Sequence, residues 1–170
     1  MPENTSMIAM KDIDLAYFDT AKTRFETVVE LECTPSQLFD IFEDAESWPV
    51  WVNSIQRVEW TSPQPYNIGT TRTVYMSGNM IGYEEFIAWD RGTRMAFKFV
   101  GSNKNNIEVF GEDYIVEDLG NERCKLTWIV VMEPKGMGKF FMGLGKPVMA
   151  KVFSSIMQKS LPKYIADNPA

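Results

Sequence analysis

The chain contains no histidine at all and only two cysteines. The missing imidazole excludes Ser–His and Cys–His nucleophilic catalysis, histidine acid–base chemistry and every histidine-containing metal site. Cys33 and Cys124 lie far apart, each within a strand-like run, and nothing near them forms a Cys-x-x-Cys pair. Two such thiols do not build a zinc site, so they read as buried, reduced thiols of a cytoplasmic protein. No stretch reaches the ~18 apolar residues of a spanning helix. The start, Met1-Pro2-Glu3-Asn4-Thr5-Ser6, lacks the basic and apolar segments of a secretory signal. Positive charge is also in the minority: 17 Lys and Arg stand against 23 Asp and Glu, a net charge of −6. Phosphate backbones and anionic lipid surfaces repel such a chain, so neither nucleic acid nor stable membrane insertion is expected. No metal or cofactor is expected either.

What is present is ordinary globular composition, with 45% apolar and 24% charged residues over 170 positions. That supports one domain with a self-sufficient core. Residues 1–22 read as an N-terminal arm and 166–170 as a tail, flanking a single domain over 23–165. From Thr23, Phe25, Thr27, Val29 and Leu31 alternate with Arg24, Glu26, Glu30 and Glu32, the period of a strand with one wet face. Thr34-Pro35-Ser36-Gln37 predicts a helix start, with Thr34 as cap, Pro35 in the first turn and Gln37 completing a capping box. A shorter helix is expected around Trp48-Pro49-Val50-Trp51. Strands follow over 56–61, 69–77, 82–90, 93–100, 107–117 and 123–132, separated by short turns that make neighbours antiparallel. From Pro147, Met149, Val152, Phe153, Ile156, Met157 and Leu161 recur at helical spacing. The order predicts an α+β domain, a seven-stranded antiparallel sheet covered on one face by a long C-terminal helix.

Four segments carry a resemblance. They are Pro35…Phe39-Asp40…Asp44…Trp48-Pro49-x-Trp51, Ile68-Gly69-Thr70-Thr71-Arg72, Ile87-x-Trp89-Asp90…Arg94-Met95-Ala96-Phe97 and Lys125-Leu126-Thr127-Trp128. In this order and spacing the chain resembles the polyketide cyclase/dehydrase branch of the START-like (SRPBCC) superfamily. The resemblance implies a helix-grip fold, in which a curved sheet wraps the C-terminal helix around a deep apolar cavity. It also implies a hydrophobic small-molecule ligand, carried, sensed or, in some members, cyclised or aromatised. Co-chaperone relatives imply a third role, in protein interaction. A shared fold does not choose among these.

Several residues are candidates for the cavity. Trp48 and Trp51 serve as core or as pocket mouth. Phe97 and Phe99 on one strand, and Trp128 on the last, belong to an interior shared by packing and ligand, as do Met149 and Phe153 on the helix. Tyr83, Glu85, Ile87 and Trp89 share a strand face, which makes Glu85 an inward carboxylate, costly unless paired or protonated. Glu85 is then the best catalytic candidate, with Arg72 as its charge partner; the alternatives are Glu84 inside or Glu85 at a wet rim. Asp113 shares a face with Val109 and Gly111, and Gly111 either makes room for a ligand or marks a bulge. Other acid–base candidates are Tyr75, Tyr83 and Tyr114. The run from Gly136 to Gly145 fails both Walker and dinucleotide glycine patterns. Its Phe141 and methionines suit a mobile gate, with loops near Trp51 and Gly101 framing the entrance.

Overall fold

Thr34 starts the first substantial helix as its local chemistry dictates. Its hydroxyl accepts from the Gln37 backbone N–H at 3.2 Å, and the Gln37 side chain accepts from the Thr34 N–H at 2.8 Å. Such local pairs set helix ends, and alternation sets strands. In the computed structural model, which describes residues 6–169 with the side chains of 139–141 outside that set, the elements run as follows. They are β1 (Ile8–Ala9), α1 (Tyr17–Thr20), β2 (Arg24–Leu31), α2 (Pro35–Glu43), α3 (Trp48–Trp51), β3 (Ile55–Trp60), β4 (Thr71–Met76), β5 (Met80–Asp90), β6 (Arg94–Ser102), β7 (Ile107–Gly120), β8 (Arg123–Pro134), α4 (Gly138–Ser155), a π-helical turn (Ile156–Ser160) and α5 (Leu161–Asp167).

The strands form one antiparallel sheet in the order β2-β8-β7-β6-β5-β4-β3. The seven expected strands are all present. The C-terminal helix grips the inner face, where Phe153 packs edge-on against Phe25 at 5.1 Å and Trp128 at 5.4 Å. The chain has the helix-grip fold.

Two differences from expectation bear on the site. The stretch from Gly138 to Gly145 is not a loop. It forms the first turns of α4, and the helix continues through Pro147. Gly136, at φ +57°, is the last residue there to need a left-handed backbone.

The second difference is the arm. Pairing between β6 and β7 ends at Lys98↔Gly111, and the strands then part. The arm fills the gap: β1 pairs with β6 through Ile8↔Ser102, Met10 N–H donates to the Val100 carbonyl, and Lys11 N–H donates to that of Glu108. Backbone groups that would otherwise lack partners are satisfied in this way. Ile13 and Phe18 then pack on the outer face against Val109, Ile129 and Val131, a second small core behind the sheet.

Candidate functional site

A cavity of about 180 Å3 lies between the inner face and the C-terminal helix. Its apolar lining includes Val74, Phe97, Phe99, Phe110, Phe153 and Met157, and α3 contributes Trp48 and Trp51. Into this lining four strands project Arg72, Glu84, Glu112, Tyr114 and Trp128.

Arg72 and Glu84 face each other across the β4–β5 hairpin. The turn Ser77-Gly78-Asn79, with positive φ at Gly78 and Asn79, pairs Met76 with Met80, and that register places Arg72 opposite Glu84. The pair is almost wholly buried, and Arg72 Nε donates to Glu84 Oε2. Aromatic rings surround the guanidinium: Trp48 at 4.3 Å, Phe97 at 4.9 Å, Phe86 at 5.2 Å and Trp60 at 5.3 Å. Cation–π attraction accounts for part of the tolerance of a buried arginine. Burial pushes the Glu84 carboxyl up from 4.5 to about 7, against the opposing pull of Arg72.

Glu112 is packed deep among protein atoms and lines the cavity. Its Oε2 accepts from Tyr114 Oη and, at 3.0 Å, from Trp128 Nε1. Burial pushes its pKa up too, while these two donors pull it down. Tyr114 in turn is pushed well above a free phenol, first by burial and then by the charge of Glu112. The wall thus holds two carboxyls with a weakened preference for ionisation and one cation. The Glu84 carboxyl, at about 7, can exchange a proton near neutral pH.

Of the sequence candidates, Trp51, Arg72, Phe97, Phe99, Trp128 and Phe153 border this cavity. Others point elsewhere. Glu85 is on the outer face, 40% exposed, with Lys98 at 3.6 Å. Tyr83 shares that face. The cause is a β-bulge: Glu84 pairs with Phe99, Phe86 with Phe97, but Trp89 with Met95. One extra residue between Phe86 and Trp89 puts Glu84, Phe86 and Trp89 on the same side, so counting back by twos from Trp89 lands on the wrong glutamate. Trp89 itself faces inward but away from the cavity, against Phe86 at 4.9 Å and Tyr66 at 5.6 Å. Asp113 is buried on the outer face in a two-point ion pair with Arg94, at 3.0 and 2.7 Å. Gly111 opens no room for a ligand, because an added Cβ there would meet Ile13, Phe18 and the Phe97 carbonyl. Met149 packs against the core without bordering the cavity. The side chain of Phe141 lies outside the described residues. The Gly101 segment is no entrance, since Met7 and Ile8 cover it.

Glu84 is the inward alternative that the strand-face reading left open beside Glu85, and Glu112 was missed. The Ser77-Gly78-Asn79 turn was a sufficient signal for Glu84, because it fixes the hairpin register against Arg72. For Glu112 the signal was weaker: it alternates with Phe110 and Tyr114, the bulkier of the two faces of β7. Cys33 and Cys124 are both buried, with their sulfur atoms 4.0 Å apart. The shared hydrogen bond and burial push the Cys33 thiol up. Among the described residues no cluster of Cys, Asp or Glu could hold a metal ion, and no helix is long and apolar enough to cross a membrane.

Comparison with known proteins agrees with this geometry. An uncharacterised protein of Mycobacterium tuberculosis is 37% identical over 143 residues, covering 84% of this chain and 85% of its own. The crystal structure of TTHA0849 from Thermus thermophilus superposes with a TM-score of 0.69 at 14% identity, over 86% of this chain and 99% of that one. A START superfamily protein from Mycobacterium smegmatis gives 0.57 at 16% identity, over 77% and 94%. These two structures share the fold. The sequence of residues 22–164 matches the family described as polyketide cyclase/dehydrase and lipid transport, and the chain belongs to that family.

Proposed function

We propose that the protein binds a hydrophobic small molecule, as a carrier or sensor, between the sheet and the C-terminal helix. The observation that carries this reading is the cavity itself. A volume of about 180 Å3 walled mainly by Val, Phe, Trp and Met is costly to leave empty or hydrated, and apolar contact with a guest offsets that cost. The family description, which names lipid transport beside cyclase and dehydrase activity, supports it. Mass spectrometry under non-denaturing conditions, on protein purified from its own host, tests it. A co-purified apolar molecule is the expected result. Failure of any apolar probe to bind would overturn the reading.

A second reading, an enzyme of cyclase or dehydratase type, is favoured by the polar wall. Glu84, held near neutrality beside Arg72, can accept a proton and return it. Incubation with the co-purified molecule should then yield a product lighter by one water or cyclised. The Glu84→Gln protein should bind the molecule without converting it.

A further inference from the structure

Two buried side-chain nitrogens, on residues that line the cavity, are left over once the internal hydrogen bonds are assigned. Trp51 Nε1 and Arg72 Nη1 have no partner among the described residues, although both side chains are at least 98% buried. Several neighbouring polar atoms are already engaged. Arg72 Nε is engaged with Glu84, Glu112 Oε2 accepts from both Tyr114 and Trp128, and Trp48 Nε1 donates to the Phe42 carbonyl at 3.0 Å. Trp51 and Arg72 flank the same indole, that of Trp48, at 4.8 and 4.3 Å. Leaving such donors unpaired costs more than an ordinary hydrogen bond gains, so two on residues lining one cavity favour a guest that brings an acceptor.

The chemistry of that atom follows from what is missing. Both orphans are N–H donors, so the guest supplies an acceptor. An ammonium would add donors and leave both unsatisfied. A carboxylate would add a third negative group beside Glu84 and Glu112, against one guanidinium, in surroundings that already disfavour charge. A carbonyl oxygen brings two lone pairs and no net charge. Size narrows the choice further. An apolar cavity of about 150 Å3 holds a benzene ring, so about 180 Å3 suits one substituted ring.

On the basis of the binding function proposed above, we infer that the cavity takes an uncharged, ring-sized apolar molecule bearing a carbonyl oxygen, and that this oxygen is received by Arg72 Nη1 and Trp51 Nε1. Long-chain lipids and fused polycycles are outside this class.

Three probes of nearly equal size separate the terms: acetophenone, cumene (a methyl group in place of the oxygen) and benzoate. Calorimetric titration at pH 7 should show acetophenone binding about tenfold or more tighter than cumene, and benzoate weaker than acetophenone. On adding acetophenone, one tryptophan indole N–H resonance, assigned by its absence in Trp51→Phe, should move; with cumene it should not. In Trp51→Phe, which keeps a ring against Trp48, the ratio of acetophenone to cumene affinity should fall to within about threefold. Equal affinities for acetophenone and cumene would overturn the inference, assigning the donors to water, and leave hydrophobic binding standing. Tighter binding of benzoate would overturn it by making the guest an anion. If none of the five indole N–H resonances moves, the role of Trp51 is overturned whether or not the variant folds. No binding of acetophenone or cumene would overturn both the inference and the reading it rests on.

Discussion

Replacing Glu84 by glutamine isolates the contest between burial and ion pairing at the centre of the cavity wall. The carboxyl titrates at about 7 in the folded chain and at 4.5 when free. Because the folded value is the higher one, its contribution to stability is complete below pH 4.5. Between 4.5 and 7 the unfolded chain releases this proton while the folded chain keeps it, so stability falls; above 7 nothing further changes. At about 1.4 kcal/mol per pH unit, the interval comes to roughly 3 kcal/mol. Glutamine does not titrate. Below pH 7 the folded native chain carries a neutral carboxyl of nearly the same shape, so any fixed cost of the amide displaces the whole profile and not its slope. Urea melts of both proteins at half-unit steps from pH 4 to 8 supply the measurement. The stability of the native sequence minus that of Glu84→Gln should decline by roughly 3 kcal/mol between pH 4.5 and 7 and then level off. A flat difference would refute the reasoning by showing that Arg72 balances desolvation, and one that rises with pH by showing that it outweighs it.

Three further outcomes follow from the same geometry. Gly82→Ala places a methyl carbon where it overlaps Cε2 and Cζ of the Phe99 ring. The ring should yield into the cavity, cutting cumene affinity about tenfold at a cost in stability of ~1–3 kcal/mol; unchanged calorimetric affinity would contradict this. Deleting residues 1–22 removes Ile13 and Phe18 from the outer core, and at ~1.5–3 kcal/mol for each buried side chain should cost ~3–6 kcal/mol in a urea melt. A loss under 1 kcal/mol would show the arm to be dispensable. Cys33 and Cys124 are buried, so neither should react with an aromatic disulfide reagent until urea unfolds the chain. Rapid labelling of the native protein would disprove their burial.

What could be read from the sequence was what depends on neighbours along the chain. The Thr34–Gln37 capping box, the alternation of β2 and the periodicity of the last helix all fall within a few residues. The strand faces that define the site did not have that locality. The bulge in β5 is set by how Phe86 and Trp89 meet Phe97 and Met95 on the next strand. The two faces of β7 were both apolar because the arm buries the outer one, so Val109 and Gly111 made Asp113 look as central as Phe110 and Tyr114 made Glu112. The helical start at Gly138 was hidden by glycines that ordinarily interrupt helices, in a segment whose later turns pack on β2 and β8.

β7 is a partition between two compartments only one strand thick. Glu112 and Tyr114 look into the hollow, while Gly111 and Asp113, their immediate neighbours, back onto Ile13, Phe18 and Arg94. A pleated ribbon cannot tilt one row of side chains without tilting the other. The segment tucked behind the sheet therefore acts as a buttress, and how firmly it seats sets how sharply Glu112 and Tyr114 are aimed at whatever occupies the other side.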